Sequence, residues 1–231
     1  MTGYKYMLLA YLSADTHRHH GPPKTYRLFL RINGVLKVAQ DRSTAEVVAA
    51  FRKAHIPEDI RLPFHPTTLL EVTFPQISGR AVPVHAGVQL PRNQTAGTPH
   101  FAVRGDISRN QRFVISAMDL DAPSHQNRSL SQVRHFLGGD FVRSTIARPT
   151  EQLVNITTPV SGWLQPAPSA GTGAHRYIFL LFHQPAGFDR QTFVTADTPI
   201  TNFDISTFAQ ETGLGTPIGG TFIKVAHDTS T

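Results

Sequence analysis

The run Tyr177-Ile178-Phe179-Leu180-Leu181-Phe182 constrains the fold of this chain more than any other feature. Successive strand residues point to opposite faces, so a run that is apolar at every position needs cover on both sides. The run is therefore predicted to be a central strand. Further strand-like runs cover residues 69–74, 101–103, 112–118, 135–142 and 221–226. The 231 residues include 17 glycines and 17 prolines, a turn-rich composition that suits a β protein better than a helical bundle. Hydrophobic residues make up 40% of the chain, enough for a sizeable core.

Two helices fit between the strands. Ser43-Thr44-Ala45-Glu46 is a capping box, followed by an apolar stripe of Val47, Val48, Ala50 and Phe51, and Pro57 is expected to stop that helix. Residues 203–213 form the second, with Asp204 as N-cap and Gly213 just past the end. The expected fold class is β-rich, mainly β with two or so helices, built as two packed antiparallel-dominated sheets.

Charge divides the chain unevenly. Residues 1–42 carry Lys5, Arg18, Lys24, Arg27, Arg31, Lys37 and Arg42 against Asp15 and Asp41, whereas the rest holds 15 basic and 14 acidic residues. A nucleic-acid-binding domain carries its basic stripe on the folded surface, so a nucleic-acid partner is not expected. Residues 1–42 are read as a basic flexible extension and 43–231 as the folded domain. His17, His19 and His20 could ligate a metal, but no carboxylate is fixed nearby, and a solvated tail is the simpler account. No metal or cofactor is expected. With no cysteine, the chain has no disulfide and no thiolate chemistry. No run of 18 apolar residues occurs, so no transmembrane segment is expected. Residues 7–12 resemble a stunted secretory segment, which leaves a cytoplasmic or a secreted location open. Three glycosylation sequons begin at Asn93, Asn127 and Asn155.

Two segments can carry chemistry. In Asp119-Leu120-Asp121-Ala122-Pro123-Ser124, two carboxylates at i and i+2 face the same way if the strand persists, and so need different partners. The pattern is equally consistent with an Asx turn. In Gly171-Thr172-Gly173-Ala174-His175-Arg176-Tyr177, the glycines permit close backbone approach, His175 and Tyr177 share one strand face, and Arg176 takes the other. Arg176 paired with a buried aspartate would explain that polar triplet without any ligand.

Together these segments resemble the two signature regions of the phosphatidylethanolamine-binding protein family, D-P-D-x-P…H-[WF] and G-x-H-R-Y-[VI]. The resemblance continues through His55-Ile56-Pro57-Glu58-Asp59, residues 87–99 and Leu214-Gly215-Thr216-Pro217-Ile218-Gly219-Gly220, in unbroken order over residues 43–227, and is nearest to fungal members. It implies that family's fold with a small surface pocket. The implied ligand-binding residues are Asp119, Pro123, His135, Trp163, Pro168, His175 and Tyr177, with Asp121 and Arg176 as structural support and a cis bond at Pro123. Leu120, Phe136, Gln165 and Ala170 depart from the usual family choices. No C-terminal gating helix is expected after the last strand, so a kinase partner is not implied. The implied function is a non-enzymatic binding protein for a small anionic ligand or phospholipid head group. Two enzyme partners are also compatible with the resemblance. One is a carboxypeptidase, since the family includes inhibitors of such enzymes. The other is a cyclase that dimerises anhydride (maleidride-type) polyketide units, which some fungal members accompany.

Overall fold

The computed structural model describes residues 31–32, 35–36, 40–108, 110–144 and 152–228. The chain divides into two compact units, Met1–Lys37 and Val38–Thr231. In the first, two short antiparallel strands are described, β1 (Arg31–Ile32) and β2 (Val35–Leu36). The expectations for residues 7–12 and for His17, His19 and His20 lie outside the described residues.

The second unit holds the sheet. Near its start, Asp41 accepts from the Ala86 N–H at 2.9 Å, and its carbonyl accepts from Arg104 at 2.6 Å. Helix α1 (Thr44–Lys53) begins where Ser43 Oγ accepts from the Glu46 N–H at 3.3 Å. The Glu46 carboxylate reaches one residue beyond the cap and accepts from the Arg42 N–H at 2.9 Å. Pro57 does not stop this helix. The helix ends at Lys53, His55 turns the chain in the left-handed region (φ 53°), and Pro57 sits in the first turn of a second helix, α2 (Ile56–Ile60). There its missing N–H costs nothing.

Nine strands follow: β3 (Leu69–Phe74), β4 (Val82–Pro83), β5 (Val88–Gln89), β6 (His100–Arg104), β7 (Phe113–Asp119), β8 (Val133–Arg143), β9 (Gln152–Asn155), β10 (His175–His183) and β11 (Gly219–Val225). Hydrogen bonds join them into one mixed sheet in the order β4-β3-β6-β9-β8-β7-β10-β11-β5. Only the β11–β5 pairing is parallel. The two layers expected from the sequence are thus portions of one curled sheet. The two halves of the sheet meet across Phe74 on β3, Phe101 on β6 and Phe179 on β10, with rings 6.3 Å apart in the Phe74–Phe179 and Phe101–Phe179 pairs.

As the sequence predicts, β10 is central and apolar on both faces. Tyr177, Phe179 and Leu181 fill the inside of the curl, while Ile178, Leu180 and Phe182 pack outward. The outer face is covered by Phe51 and Ile56 from α1 and α2, and by Ile205 and Phe208 of a third helix, α3 (Ile205–Thr212). Each such buried side chain contributes roughly 1.5–3 kcal/mol. Asp204 caps α3 through the Ser206 and Thr207 N–H groups, and Gly213 ends it at φ 72°. Gly220 on β11 is needed for close packing: a Cβ there would lie 2.8 Å from the Phe179 carbonyl oxygen and 3.2 Å from Phe51.

Candidate functional site

The site gathers where β7 ends and β10 begins. Antiparallel register places Tyr177 opposite Asp119. Strand parity then puts His175, Tyr177 and Asp119 on the inner face, with Arg176 outside. The fourth member arrives by a different device. Ala117 pairs with Phe136 but Met118 pairs with Arg134, so His135 is an extra residue in β8. Phe136 faces the inner core. Strict alternation would send His135 outward, and the bulge turns it inward. Its ring stands edge-on to Tyr177 at 5.0 Å, and the His175 ring lies nearly parallel to Tyr177 at 6.4 Å.

Asp119 is the hub. Its Oδ1 accepts from the Asp121 N–H at 2.7 Å, and its Oδ2 accepts from His175 Nδ1 at 2.8 Å. The Tyr177 hydroxyl lies near Asp119 and the backbone of Ala167. Burial, then the Asp119 charge and hydrogen bond, push the Tyr177 hydroxyl well above the ordinary phenol range, so it keeps its proton.

The two histidines differ in what they have left to offer. His135 Nδ1 donates to the Leu164 carbonyl at 2.7 Å, which fixes the tautomer. Its Nε2 has no partner among the described residues. Burial pulls His135 below the ordinary imidazole value. The Leu164 bond and the Asp119 charge oppose that shift, and the nearby His175 reinforces it. At neutral pH its Nε2 therefore presents a lone pair.

At His175, Nε2 lies 2.9 Å from Thr172 Oγ1. The single Thr172 hydroxyl proton goes to the Ser169 carbonyl at 2.8 Å. Thr172 can then only accept, and Asp119 can only accept as well.

The wall is Trp163, whose ring lies 6.3 Å from His135 and stacks on Phe179 at 5.8 Å. Its indole N–H donates to the Thr95 carbonyl at 3.0 Å. Gln165 ties the same segment to the Arg92 carbonyl at 2.8 Å. Pro166 and Pro168 are buried on either side of Ala167. Pro123 is exposed on the loop after β7, and the Ala122–Pro123 bond is cis.

Asp121 and Arg176 meet on the outer face. The guanidinium grips Asp121 through Nε at 2.9 Å and Nη2 at 2.6 Å, and the Arg176 N–H adds a third bond at 2.8 Å. Arg176 also reaches Asp59 at 2.8 Å and the Ala54 carbonyl, which binds β10 to α1 and α2. Burial would raise the Asp121 carboxyl, but the bonds and charge of Arg176 outweigh it and hold it below the usual range.

Two residues near the site were not singled out for a role from the sequence. Thr172 touches His175. His125 lies with Nε2 2.8 Å from the Ala174 carbonyl and Nδ1 3.1 Å from Asp121, its ring 6.3 Å from His175. The one available signal for His125 was its place four residues after Asp121. Of the sequon asparagines, Asn93 and Asn127 are exposed. Asn155 is half-buried and donates to the Gly139 carbonyl at 2.9 Å. No group of three or more metal-ligating side chains is assembled among the described residues. No described helix is long and apolar enough to cross a membrane.

A small polar cluster set into the end of a curled, β-rich sheet defines the class of the molecule. The family model described as phosphatidylethanolamine-binding protein matches residues 79–223, and the chain belongs to that family. FLOWERING LOCUS T of Arabidopsis thaliana is 30% identical over 170 residues, covering 74% of this chain and 86% of that one. The 26 kDa secreted antigen of Toxocara canis is 29% identical over 162 residues, 69% of this chain but only 56% of that protein's length. Among solved structures, carboxypeptidase Y inhibitor in complex with its cognate proteinase superposes with a TM-score of 0.68 at 23% identity, covering 81% of this chain and 98% of the inhibitor.

Proposed function

We propose that this protein binds a small anionic group, a phosphate or carboxylate, at Asp119, His135 and His175 beneath Trp163 and Pro168, without catalysing a reaction. The observation that carries this is the pair of imidazoles flanking Tyr177, one backed by a buried carboxylate and the other with Nε2 unpartnered. An oxyanion between them would accept from His175 Nε2, and from His135 Nε2 once that ring takes up a proton. Among the described residues neither histidine is hydrogen-bonded to a serine or cysteine; the hydroxyl at His175 belongs to Thr172, which donates to the Ser169 carbonyl. Titrating phosphoethanolamine, inorganic phosphate and acetate into isotope-labelled protein should shift the His135, His175 and Trp163 signals, and His175→Ala should abolish the shifts. Unmoved pocket signals in the wild type would refute the proposal.

The likeness to carboxypeptidase Y inhibitor supports a second function, inhibition of a serine carboxypeptidase. A carboxypeptidase assay with the full chain tests it. Undiminished protease activity at saturating protein removes that function, whatever the titration shows.

A further inference from the structure

We propose that the Thr172 hydroxyl is the resident occupant of the ligand-oxygen position at His175, and that a ligand enters by displacing it. This rests on the anion pocket proposed above and specifies which atom is recognised and by which proton. His175 has two ring nitrogens. Nδ1 is committed to buried Asp119 at 2.8 Å, so Nε2 is the one left to meet a ligand. Thr172 Oγ1 already sits 2.9 Å from it, at the distance a bound oxygen would take.

The loop is built to let that oxygen go. Gly171 and Gly173 flank Thr172 at φ 79° and 83°, and both are exposed. A Cβ on Gly171 would meet nothing within 4 Å, and one on Gly173 only the His125 ring at 3.7 Å. Beyond His175, Thr172 is held by two bonds to a single carbonyl, that of Ser169, at 3.3 Å from its N–H and 2.8 Å from its hydroxyl. Those two bonds form a local turn and need not break for the turn to swing as a unit.

Chemistry then sets the ligand class. With Nδ1 on Asp119 and the Thr172 hydroxyl donating to Ser169, the oxygen that faces Nε2 serves as an acceptor. The incoming atom must be an oxygen acceptor, and an oxyanion outcompetes a neutral hydroxyl because charge-assisted bonds are roughly twice as strong. A phosphate monoester or carboxylate fits, and a bare ammonium does not. A second oxygen of the same ligand would meet His135 Nε2 once that ring takes up a proton.

Side-chain NMR of the full chain tests this with wild type, Thr172→Ala and Thr172→Ser, each titrated with inorganic phosphate and with acetate. Without ligand, the His175 Nε2 proton should be observable in the wild type and in Thr172→Ser, and lost to exchange in Thr172→Ala. Thr172→Ala should bind phosphate about 2- to 10-fold more tightly, the worth of one net hydrogen bond, and Thr172→Ser should restore the wild-type value. Equal or weaker phosphate binding by Thr172→Ala, with wild-type binding intact, overturns the displacement and leaves the pocket standing. A protected Nε2 proton that depends on Thr172, with no probe binding either protein, instead refutes the anion pocket and takes the displacement with it.

Discussion

Two buried carboxylate pairs lie back to back, both anchored on the same strand. His175 and Arg176 are consecutive on β10, and their partners Asp119 and Asp121 are two residues apart at the end of β7. Strand parity sends His175 and Arg176 to opposite faces, and β7 ends at Asp119, so Asp121 in the following loop is free to meet Arg176 on the outer one. The outer pair is saturated: Arg176 makes two side-chain bonds to Asp121 and reaches Asp59 and the Ala54 carbonyl, and Asp121 is fully sealed from solvent. The inner pair ends on a replaceable partner, an exposed-loop hydroxyl on His175. One sequence motif thus supplies a structural pin on one face and an open valence on the other. The difference lies in whether the last hydrogen bond comes from packed framework or from a loop that packs on little.

The sharpest way to break that comparison is to remove the pin. Arg176→Ala leaves Asp121 buried with its principal counter-charge gone. Breaking a buried pair from one side costs about 3–5 kcal/mol. A urea midpoint that falls by that amount, with α1 and α2 loosened in hydrogen exchange, is the expected result. A loss below about 1 kcal/mol would show that the outer pair is not a pin.

The inner pair should respond differently. His175→Ala deprives Asp119 of one donor but leaves the Asp121 N–H and the Tyr177 hydroxyl in place. The stability loss should be about 1–3 kcal/mol, the cost of one unmade buried bond, while phosphate binding disappears. A loss of stability matching that of Arg176→Ala would make both pairs structural and erase the distinction.

Much of this contrast was legible in the sequence, because strand parity is a property of backbone geometry. An apolar β10 with a polar mouth fixes which of His175, Arg176 and Tyr177 share a face. The family resemblance supplied the aspartates to go with them. Other features were not legible, for identifiable reasons. The bulge that turns His135 inward is a register shift between β7 and β8, and register depends on two strands at once. The break between α1 and α2 rests on a left-handed His55, a conformation uncommon for any residue but glycine, so Pro57 read as a stop when it is a start. The Thr172 contact depends on how a two-glycine loop folds back, and glycine leaves that unspecified. One sheet or two layers was undecidable because curling preserves the alternation pattern that both share.

A smaller effect separates the two histidines of the inner face. His135 is held below the ordinary imidazole value of about 6.5, chiefly by burial. The unfolded chain therefore takes up a proton at higher pH than the folded one. Stability from this group is intact above about pH 6.5 and declines as pH falls, until the folded-state midpoint is passed. The groups facing His135 are Asp119 from β7 and His175 and Tyr177 from β10, so a bound anion joins one carboxylate and favours the imidazolium. Phosphate should bind more tightly as pH drops through that window, with proton uptake measurable by calorimetry in buffers of different ionisation enthalpy. Binding without proton uptake would place the ligand away from His135 Nε2.

The smallest effect probes the solvent edge of the outer network. Arg128 approaches Asp59 at 2.9 Å and Asp121 at 3.4 Å, and so appears in the same cluster of charges as Arg176. Its side chain is 38% exposed, whereas that of Arg176 is 6% exposed. Water and salt screen the outer cation and leave the inner one unscreened. Arg128→Ala should cost only about 0–1 kcal/mol, and the cost should shrink in high salt. Arg176→Ala should keep its penalty there. If the two variants lost equal stability, or both became salt-insensitive, the pin would have to be assigned to the whole charge cluster rather than to the one sealed pair.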